Sequence, residues 1–246
     1  MSKIKFLSAA WKNLLMLNYE VDPKILEPYL PAYTVLDLWQ GKALVSMVGF
    51  MFMNTRVMGI KWPGHVNFEE VNLRFYVKHF DGKEWKRGAV FVSEIVPKRI
   101  IPLVANNLYN EHYKAMPMRH SVVVDQDVSH FSYEWKLKDR WNKLAATVSN
   151  QFVPIEKDSA EEFIFEHYWG YNRIHGTKTL EYQVEHEPWK IAQVTNPVFD
   201  ADIIGLYNQS FEPYLSKQPF SAFFALGSEV SVRVAGKILA EPILPK

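Results

Sequence analysis

Alternating apolar and polar positions predict strands along most of the chain. In Thr177–His186, for example, Leu180, Tyr182 and Val184 alternate with polar residues, and a period of two indicates a strand with one buried face. Asp81-Gly82 lies between two such segments and is a strong hairpin signal. The ten predicted strands are Trp11–Val21, Thr34–Trp39, Lys42–Met53, Glu69–Phe80, Lys83–Val96, His130–Leu137, Trp141–Asn150, Thr177–His186, Phe220–Leu226 and Glu229–Val234.

Helix signals are fewer, and the segments that follow them are short. N-cap residues, capping boxes and prolines at first helical positions mark where they begin. Four helices are predicted: from Asp22-Pro23 to about Pro31, from Pro102 toward Tyr113, from Ser159–Glu162 to a stop at Gly170, and over Asp202–Ser210. Many strands with few helices predict a mainly β (α+β) fold, in which a curled antiparallel sheet or barrel carries short peripheral helices. Without a linker or repeat, residues 1–246 are predicted to form a single domain.

The composition excludes several classes of function. The 246 residues include 28 Lys plus Arg and 27 Asp plus Glu, giving a net charge of +1. Such a balance argues against a nucleic-acid partner, because nucleic-acid-binding surfaces are strongly basic. The chain has no cysteine, which excludes disulfides, a thiolate nucleophile and Cys-ligated metal sites. Aromatic residues make up 15%, and they are typical of strands and of apolar cavities.

Targeting and cofactor motifs give no positive signal. The apolar run Phe6–Trp11 is shorter than the roughly 7–15 residues of a signal-peptide core, and no stretch approaches the roughly 20 residues of a membrane span. We therefore expect a cytoplasmic protein without a membrane partner. The sequence has no HExxH, GxGxxG, GxxxxGK[ST] or GxSxG motif, so we predict no metal and no cofactor. A homo-oligomeric state stays open.

The hairpin at Asp81-Gly82 groups polar side chains on one strand face. With a two-residue loop, Glu70 and Arg74 share a face, and Glu69 lies opposite Glu94. Like-charge repulsion in that Glu pair would raise the pKa of one carboxyl group. Two interpretations are open: the polar face is the wet side of a sheet, or it lines the interior of a barrel. In a barrel, Arg74 would hold an anion and Glu70 would act as an acid/base group.

Two further clusters combine titratable and aromatic side chains. One lies just before Pro117, where a solvated helix end is an equally good interpretation; its members are Glu111, His112, Tyr113 and Lys114. The other is Phe165–Tyr171, in which His167 and Trp169 either fill the core or contact a ligand.

Long motifs in a fixed order resemble the YqjF-like family of uncharacterised bacterial proteins, which is placed beside acetoacetate decarboxylase by fold. The resemblance runs from about Leu7 to about Val234. It rests on LLMLNYEVDP, LPAYTVLDLWQGKALVSMVGF, NFEEVNLRFYV, RGAVFVSEIVPK, LYNEHYKAMPMRH, EHYWGY and EYQVEHEPW. What the resemblance implies is a curled antiparallel acetoacetate-decarboxylase-like barrel with a central cavity.

The more distant resemblance to acetoacetate decarboxylase implies roles for particular residues. That enzyme uses a Schiff-base lysine beside a second lysine, together with a glutamate and an arginine. Glu70 matches the glutamate, and Lys12 is a looser match for the arginine. The lysine pair aligns with His112 and Tyr113, and Lys114 is one residue further on. The pair is therefore missing, and a lone lysine without a neighbouring cation is a poor nucleophile.

We therefore predict a small-molecule-binding barrel whose ligand is a small carboxylate or carbonyl compound. The candidate catalytic residues are Glu70, His112 and Lys114. The candidate ligand-binding residues are Lys12, Arg74, Glu94, Glu111, Tyr113, His167 and Trp169. Glu70 is expected to be buried beside aromatic side chains, with Arg74 or Lys12 as its cationic partner. Two alternatives are open, namely a non-catalytic sensor or accessory protein and a true decarboxylase that uses Lys114.

Overall fold

The computed structural model describes residues 5–98, 112–174, 178–234 and 236–239. Within these ranges the chain is dominated by strands, as the alternating pattern predicts. The fifteen strands of the described ranges, β1 to β15, are Lys5–Val21, Val35–Leu36, Ala43–Val57, Phe68–Phe80, Trp85–Val96, Tyr113–Ala115, Met118–Val124, Val128–Leu137, Arg140–Pro154, Trp169–Arg173, Thr179–His186, Lys190–Asp200, Ser221–Ala225, Glu229–Arg233 and Gly236–Ile238.

All fifteen strands belong to one curled, mainly antiparallel sheet. Its pairings run from β1 through β3, β4, β5, β10, β11 and β14 and return to β1, because the first part of β1 pairs with β14. The second part of β1 pairs with β13, from which the sheet continues through β12, β9 and β8 to β7. The predicted mainly β fold with a curled antiparallel sheet is thus confirmed, and the strands of this ring surround an interior.

The helices are shorter than the sequence signals suggest. They are the 3-10 turns Pro23–Ile25, Glu27–Tyr29 and Gln209–Phe211 and the α-helices α1, Ala160–Phe165, α2, Ile203–Leu206, and α3, Glu212–Leu215. The cap predicted at Ser159 is present, because its hydroxyl accepts a hydrogen bond from the Glu162 amide at 3.1 Å. The stop predicted at Gly170 is wrong, since α1 ends at Phe165 and Gly170 pairs within β10. The predicted helix from Pro102 lies largely outside the described residues, and Tyr113 begins β6.

The first hairpin forms as predicted, but its register differs. The Asp81 carboxylate accepts hydrogen bonds from the amides of Lys83 and Glu84 at 2.9 and 3.0 Å. This Asx-type turn makes the loop four residues long, so Phe80 lies opposite Trp85. A bulge between Leu73 and Arg74 shifts the register once more. As a result Glu94 lies opposite Asn72, and the predicted Glu69–Glu94 pair is wrong.

Both faces of β4 are buried, which excludes the wet-sheet interpretation. Val71, Leu73 and Phe75 are fully buried in the main apolar core, which also contains Trp135 of β8. On the opposite face, Glu70 is only 2% exposed. The polar face of the strand therefore points to the interior of the ring. No helix in the described part of the chain has the length and apolar character needed to cross a membrane.

Candidate functional site

A cavity of about 120 Å³ lies inside the strand ring. Every strand of the ring contributes to its lining, together with β6 and the segment that follows α1. Its wall is mainly aromatic and aliphatic, and polar side chains from β4 and β5 form a cluster on one part of it. The lining residues are Phe6, Leu7, Trp11, Leu14, Val48, Phe50, Phe52, Glu70, Asn72, Arg74, Ala89, Phe91, Glu94, Tyr113, His167, Trp169, Gly170, Tyr182, Val184 and Val232.

Strand alternation and two bulges decide which side chains enter the cavity. Along β3 and β4, every second residue faces inward, as a pleated strand requires. In β5 the bulge opposite Arg74 changes this phase, so Phe91 and then Glu94 line the cavity. In β1 a register shift between Lys12 and Leu15 also changes the phase, so Trp11 and Leu14 both line the cavity. Bulges next to sites commonly re-aim side chains in this way.

Two described side chains orient the Glu70 carboxylate in the cavity. Its Oε1 accepts a hydrogen bond from Asn72 Nδ2 at 2.8 Å, and its Oε2 accepts one from the Tyr113 hydroxyl at 2.8 Å. The predicted burial of Glu70 is found, and these two donors from the described part of the chain are neutral. Neither Arg74 nor Lys12 forms the expected ion pair with this carboxylate.

Arg74 lies four residues after Glu70 on the same face of β4 and is half-buried. Its guanidinium donates to the Tyr76 hydroxyl at 3.4 Å, to the Ile164 carbonyl at 3.3 Å and to Met16 Sδ at 3.7 Å. It also lies 5.5 Å from the centre of the Tyr76 ring. All of these groups are neutral. Within the described part of the chain, no carboxylate lies within ion-pair distance of Arg74.

The predicted cluster before Pro117 divides between different environments. Tyr113 enters the cavity and binds Glu70, whereas His112 is exposed and belongs to a separate surface depression. The His112 carbonyl accepts a hydrogen bond from the Glu94 amide at 3.2 Å. His112 therefore contacts the strand that carries Glu94 through its backbone and not through its imidazole. Glu94 itself is 2% exposed and lines the cavity. The candidate Glu111 lies outside the described residues.

Neither candidate lysine lies in the cavity, so both assignments are corrected. Lys12 is exposed, because it follows the inward-facing Trp11 and consecutive strand residues point to opposite faces. Lys114 follows the inward-facing Tyr113, so it too points to the opposite face of its strand. Its Nζ donates to the Leu206 carbonyl at 2.9 Å. Burial lowers the pKa of Lys114, which favours nucleophilicity, but its position places the amine away from the lining.

Lys114 is expected to form no covalent adduct with acetoacetate. Its amine is held at the Leu206 carbonyl and is outside the cavity in which a β-keto acid would bind. Borohydride treatment in the presence of acetoacetate, followed by peptide mass spectrometry, checks this expectation. A reduced adduct on Lys114 that is absent in Lys114→Met would contradict it.

His167 and Trp169 both line the cavity, as their sequence cluster suggests. His167 Nε2 lies 3.3 Å from Asp37 Oδ2, and Arg87 Nε donates to the same oxygen at 2.6 Å. Lys86 Nζ lies 4.4 Å from the centre of the Trp169 ring. Asp37 and Arg87 are absent from the sequence-based candidates, because nothing local connects residues that far apart.

Burial and hydrogen bonding set the protonation states of His167 and Asp37. Burial lowers the pKa of His167 to about 4, although the hydrogen bond to Asp37 opposes the change. For Asp37, burial alone would raise the pKa, but the hydrogen bonds from His167 and Arg87 lower it to about 2. At neutral pH the pair is therefore a neutral imidazole beside an ionised carboxylate.

Some side chains of the lining contain a buried polar atom without a hydrogen-bond partner in the described part of the chain. Among these atoms are Trp11 Nε1, Asn72 Oδ1 and His167 Nδ1. Buried polar groups are paired in most proteins, so an unpaired group calls for an explanation. A bound polar molecule would supply partners for these atoms.

The sequence comparisons connect the chain to one family. The DUF2071 model, described as an uncharacterized conserved protein, matches residues 8–229. The uncharacterized protein YqjF of Bacillus subtilis strain 168 is 29% identical over 208 residues, which are 80% of this chain and 81% of YqjF. The resemblance to YqjF-like proteins is therefore confirmed.

Solved structures share the fold at low identity. Acetoacetate decarboxylase from Legionella pneumophila has a TM-score of 0.63 at 12% identity, with 95% of this chain and 87% of that chain covered. The enduracididine biosynthesis enzyme MppR complexed with pyruvate has a TM-score of 0.64 at 13% identity, with 97% and 91% covered. An acetoacetate decarboxylase-like enzyme from Sphingomonas wittichii has a TM-score of 0.62 at 12% identity, with 96% and 94% covered. The fold is therefore acetoacetate-decarboxylase-like.

Proposed function

The chain belongs to the DUF2071 family and has the acetoacetate-decarboxylase-like fold, and from its cavity we propose that it binds a small carboxylate there. Arg74 is the anion-binding group, and Glu70 is the acid/base group beside the bound molecule. The ligand is of the same general class as the pyruvate held by MppR. The proposal includes a cytoplasmic location.

The observation that carries the proposal is the charge of Arg74. A half-buried guanidinium in a mostly apolar cavity, with only neutral acceptors around it, is costly unless an anion compensates it. The planar guanidinium is well matched to a carboxylate, to which it donates two parallel hydrogen bonds. The unpaired donor Trp11 Nε1 lies in the same lining and adds a second group that favours an anion.

The remainder of the cavity favours a small ligand with an apolar part. Trp11, Phe50 and Phe52 pack together, with ring centres 5.4 Å apart for Trp11–Phe50 and 5.1 Å apart for Phe50–Phe52. Aromatic walls with a few converging polar groups are typical of small-molecule sites. The volume of about 120 Å³ suits a compound of few heavy atoms.

Glu70 is suited to move a proton, because it is held in one position. Its two oxygens are fixed by Asn72 and Tyr113, and a proton-transfer group must be positioned before it can act. The alternative of Schiff-base decarboxylation lacks support, because the described lining contains no lysine. The proposed chemistry is therefore acid/base catalysis without an amine.

Arg74→Met is expected to weaken carboxylate binding at least about tenfold, since a hydrogen bond to a charged group contributes about 1.5–3 kcal/mol. Isothermal titration with short carboxylates and their neutral amides, such as lactate and lactamide, measures the effect. The amides should bind wild type about tenfold more weakly than the acids.

The matched control is Arg119→Met. Arg119 pairs with Glu134 at 2.5 Å and lies outside the cavity lining, so this variant should bind carboxylates as wild type does. Equal affinity of acids and amides, or an unchanged affinity in Arg74→Met, would contradict the proposed function.

A further inference from the structure

The Asp37–Arg87 pair determines which nitrogen of His167 carries the proton. Asp37 is buried, with Arg87 Nε at 2.6 Å from Oδ2 and Lys78 Nζ at 3.7 Å from Oδ1. Two cations keep this carboxylate ionised, so it can only accept hydrogen bonds. His167 Nε2, at 3.3 Å from Oδ2, must therefore be the protonated nitrogen. In the neutral imidazole, Nδ1 is then an acceptor.

The orientation of this acceptor is fixed by packing. The His167 ring lies 4.5 Å from the ring centre of Tyr76 and 5.2 Å from that of Phe163. Asp37 is not in the cavity lining, whereas His167 is. Nδ1 is buried without a partner in the described part of the chain. It is therefore the acceptor that this lining side chain could offer to a ligand.

The acceptor lies beside the anion-binding group. Tyr76 contacts both Arg74 and His167. The Tyr76 hydroxyl accepts a hydrogen bond from Arg74 Nε at 3.4 Å, and the Tyr76 ring packs on the imidazole of His167. Arg74 also donates to the carbonyl of Ile164, which is in the helix that precedes His167. A molecule whose carboxylate binds Arg74 would therefore bring its adjacent carbon atoms close to His167.

We infer that the preferred ligand is a small hydroxy acid, whose carboxylate binds Arg74 and whose hydroxyl donates a hydrogen bond to His167 Nδ1. The inference rests on the proposed function and specifies its substrate class. A keto acid offers only acceptors, and its carbonyl oxygen would face the lone pair of Nδ1. Asn72 supports the same preference, because its Nδ2 donates to Glu70 and its Oδ1 is a second unpaired acceptor.

The test compares matched acids that differ only in this group: lactate with pyruvate, and 2-hydroxybutyrate with 2-oxobutyrate. Isothermal titration of wild type should show at least about tenfold tighter binding of each hydroxy acid. His167→Phe keeps an aromatic ring and removes Nδ1. It should weaken hydroxy-acid binding and abolish the difference in affinity between each hydroxy acid and its keto acid.

A spectroscopic readout on wild type keeps the test independent of how well His167→Phe folds. In ¹⁵N spectra of histidine-labelled protein, lactate should shift the Nδ1 resonance of His167, and pyruvate should leave it in place.

The failures of the two proposals are distinguishable. Equal or tighter keto-acid binding that still depends on Arg74 would overturn the hydroxy-acid inference and leave the proposed function standing. An Nδ1 resonance that does not respond to lactate would also overturn the inference. If neither acid binds wild type, the proposed function fails and the inference fails with it.

Discussion

Lowering the pH from neutral to about 4 is expected to reduce the free energy of unfolding by about 3 kcal/mol through His167. Burial lowers the pKa of this side chain from 6.5 to about 4. Between these pH values the unfolded chain binds a proton that the folded chain does not. The contribution is therefore fully present above about pH 6.5 and is lost progressively as the pH falls to about 4.

The charges around His167 determine this window. Arg87 and Arg74 oppose a second positive charge, whereas Asp37 favours it, and the effect of burial is larger than all of these. Asp37 adds a further loss of stability only below about pH 4, because its own pKa falls from 3.8 to about 2.

Urea unfolding of wild type and His167→Phe at several pH values measures the effect. The variant should lose about 3 kcal/mol less than wild type over this range. His65→Gln, on the loop between β3 and β4, removes a histidine from outside the cavity lining and should keep the wild-type dependence. Parallel curves for wild type and His167→Phe would show that His167 is not the buried neutral group.

Gly227→Ala is expected to destabilise the fold by about 3 kcal/mol or more. Gly227 has a φ of +75°, and an added Cβ would lie 1.9 Å from the Trp11 carbonyl oxygen. The left-handed conformation costs a non-glycine residue about 1–2 kcal/mol, and the steric overlap with backbone adds about 1–3 kcal/mol. The clash is not easily relieved, because Trp11 is bound to Ser228 through its amide.

Gly59→Ala is the matched control. Gly59 has a φ of +82°, but no atom lies within 4 Å of the position of an added Cβ. This variant should therefore lose only the conformational part, about 1–2 kcal/mol. Chemical denaturation measures the free energy of unfolding of both variants. The difference between their losses gives the contribution of the steric overlap, because both variants carry the backbone strain. Equal losses in the two variants would contradict the close approach at Trp11, and with it the position of Trp11 in the cavity wall.

The face of β4 could be predicted from the sequence because strand alternation is local. Glu70 and Arg74 are four residues apart, and a period of two keeps them on the same side whatever the pairing register. The observed four-residue turn shifts the register by an even number of residues from that of the predicted two-residue loop, which also leaves the faces unchanged. The bulge beside Arg74 could not be foreseen, and it brings Glu94 into the cavity.

Other parts of the site depend on contacts that have no local signal. Lys12 is the looser match for the arginine of acetoacetate decarboxylase, but the backbone of Asn13 has a φ of 58° within an irregular stretch of β1, and Lys12 is exposed. Asp37 joins Arg87 and His167 only after the strands and α1 have packed. Tertiary pairing of this kind decides the polar site, whereas propensity and periodicity decide the strands.

A crystal structure of the protein soaked with lactate would show the ligand and its contacts together. We expect density for the acid inside the strand ring, with the carboxylate on Arg74, the hydroxyl toward His167 and the adjacent carbon atoms beside Glu70. Density at the surface depression around His112 with an empty ring interior, or an acid in the ring that leaves Arg74 without an anion, would contradict this expectation.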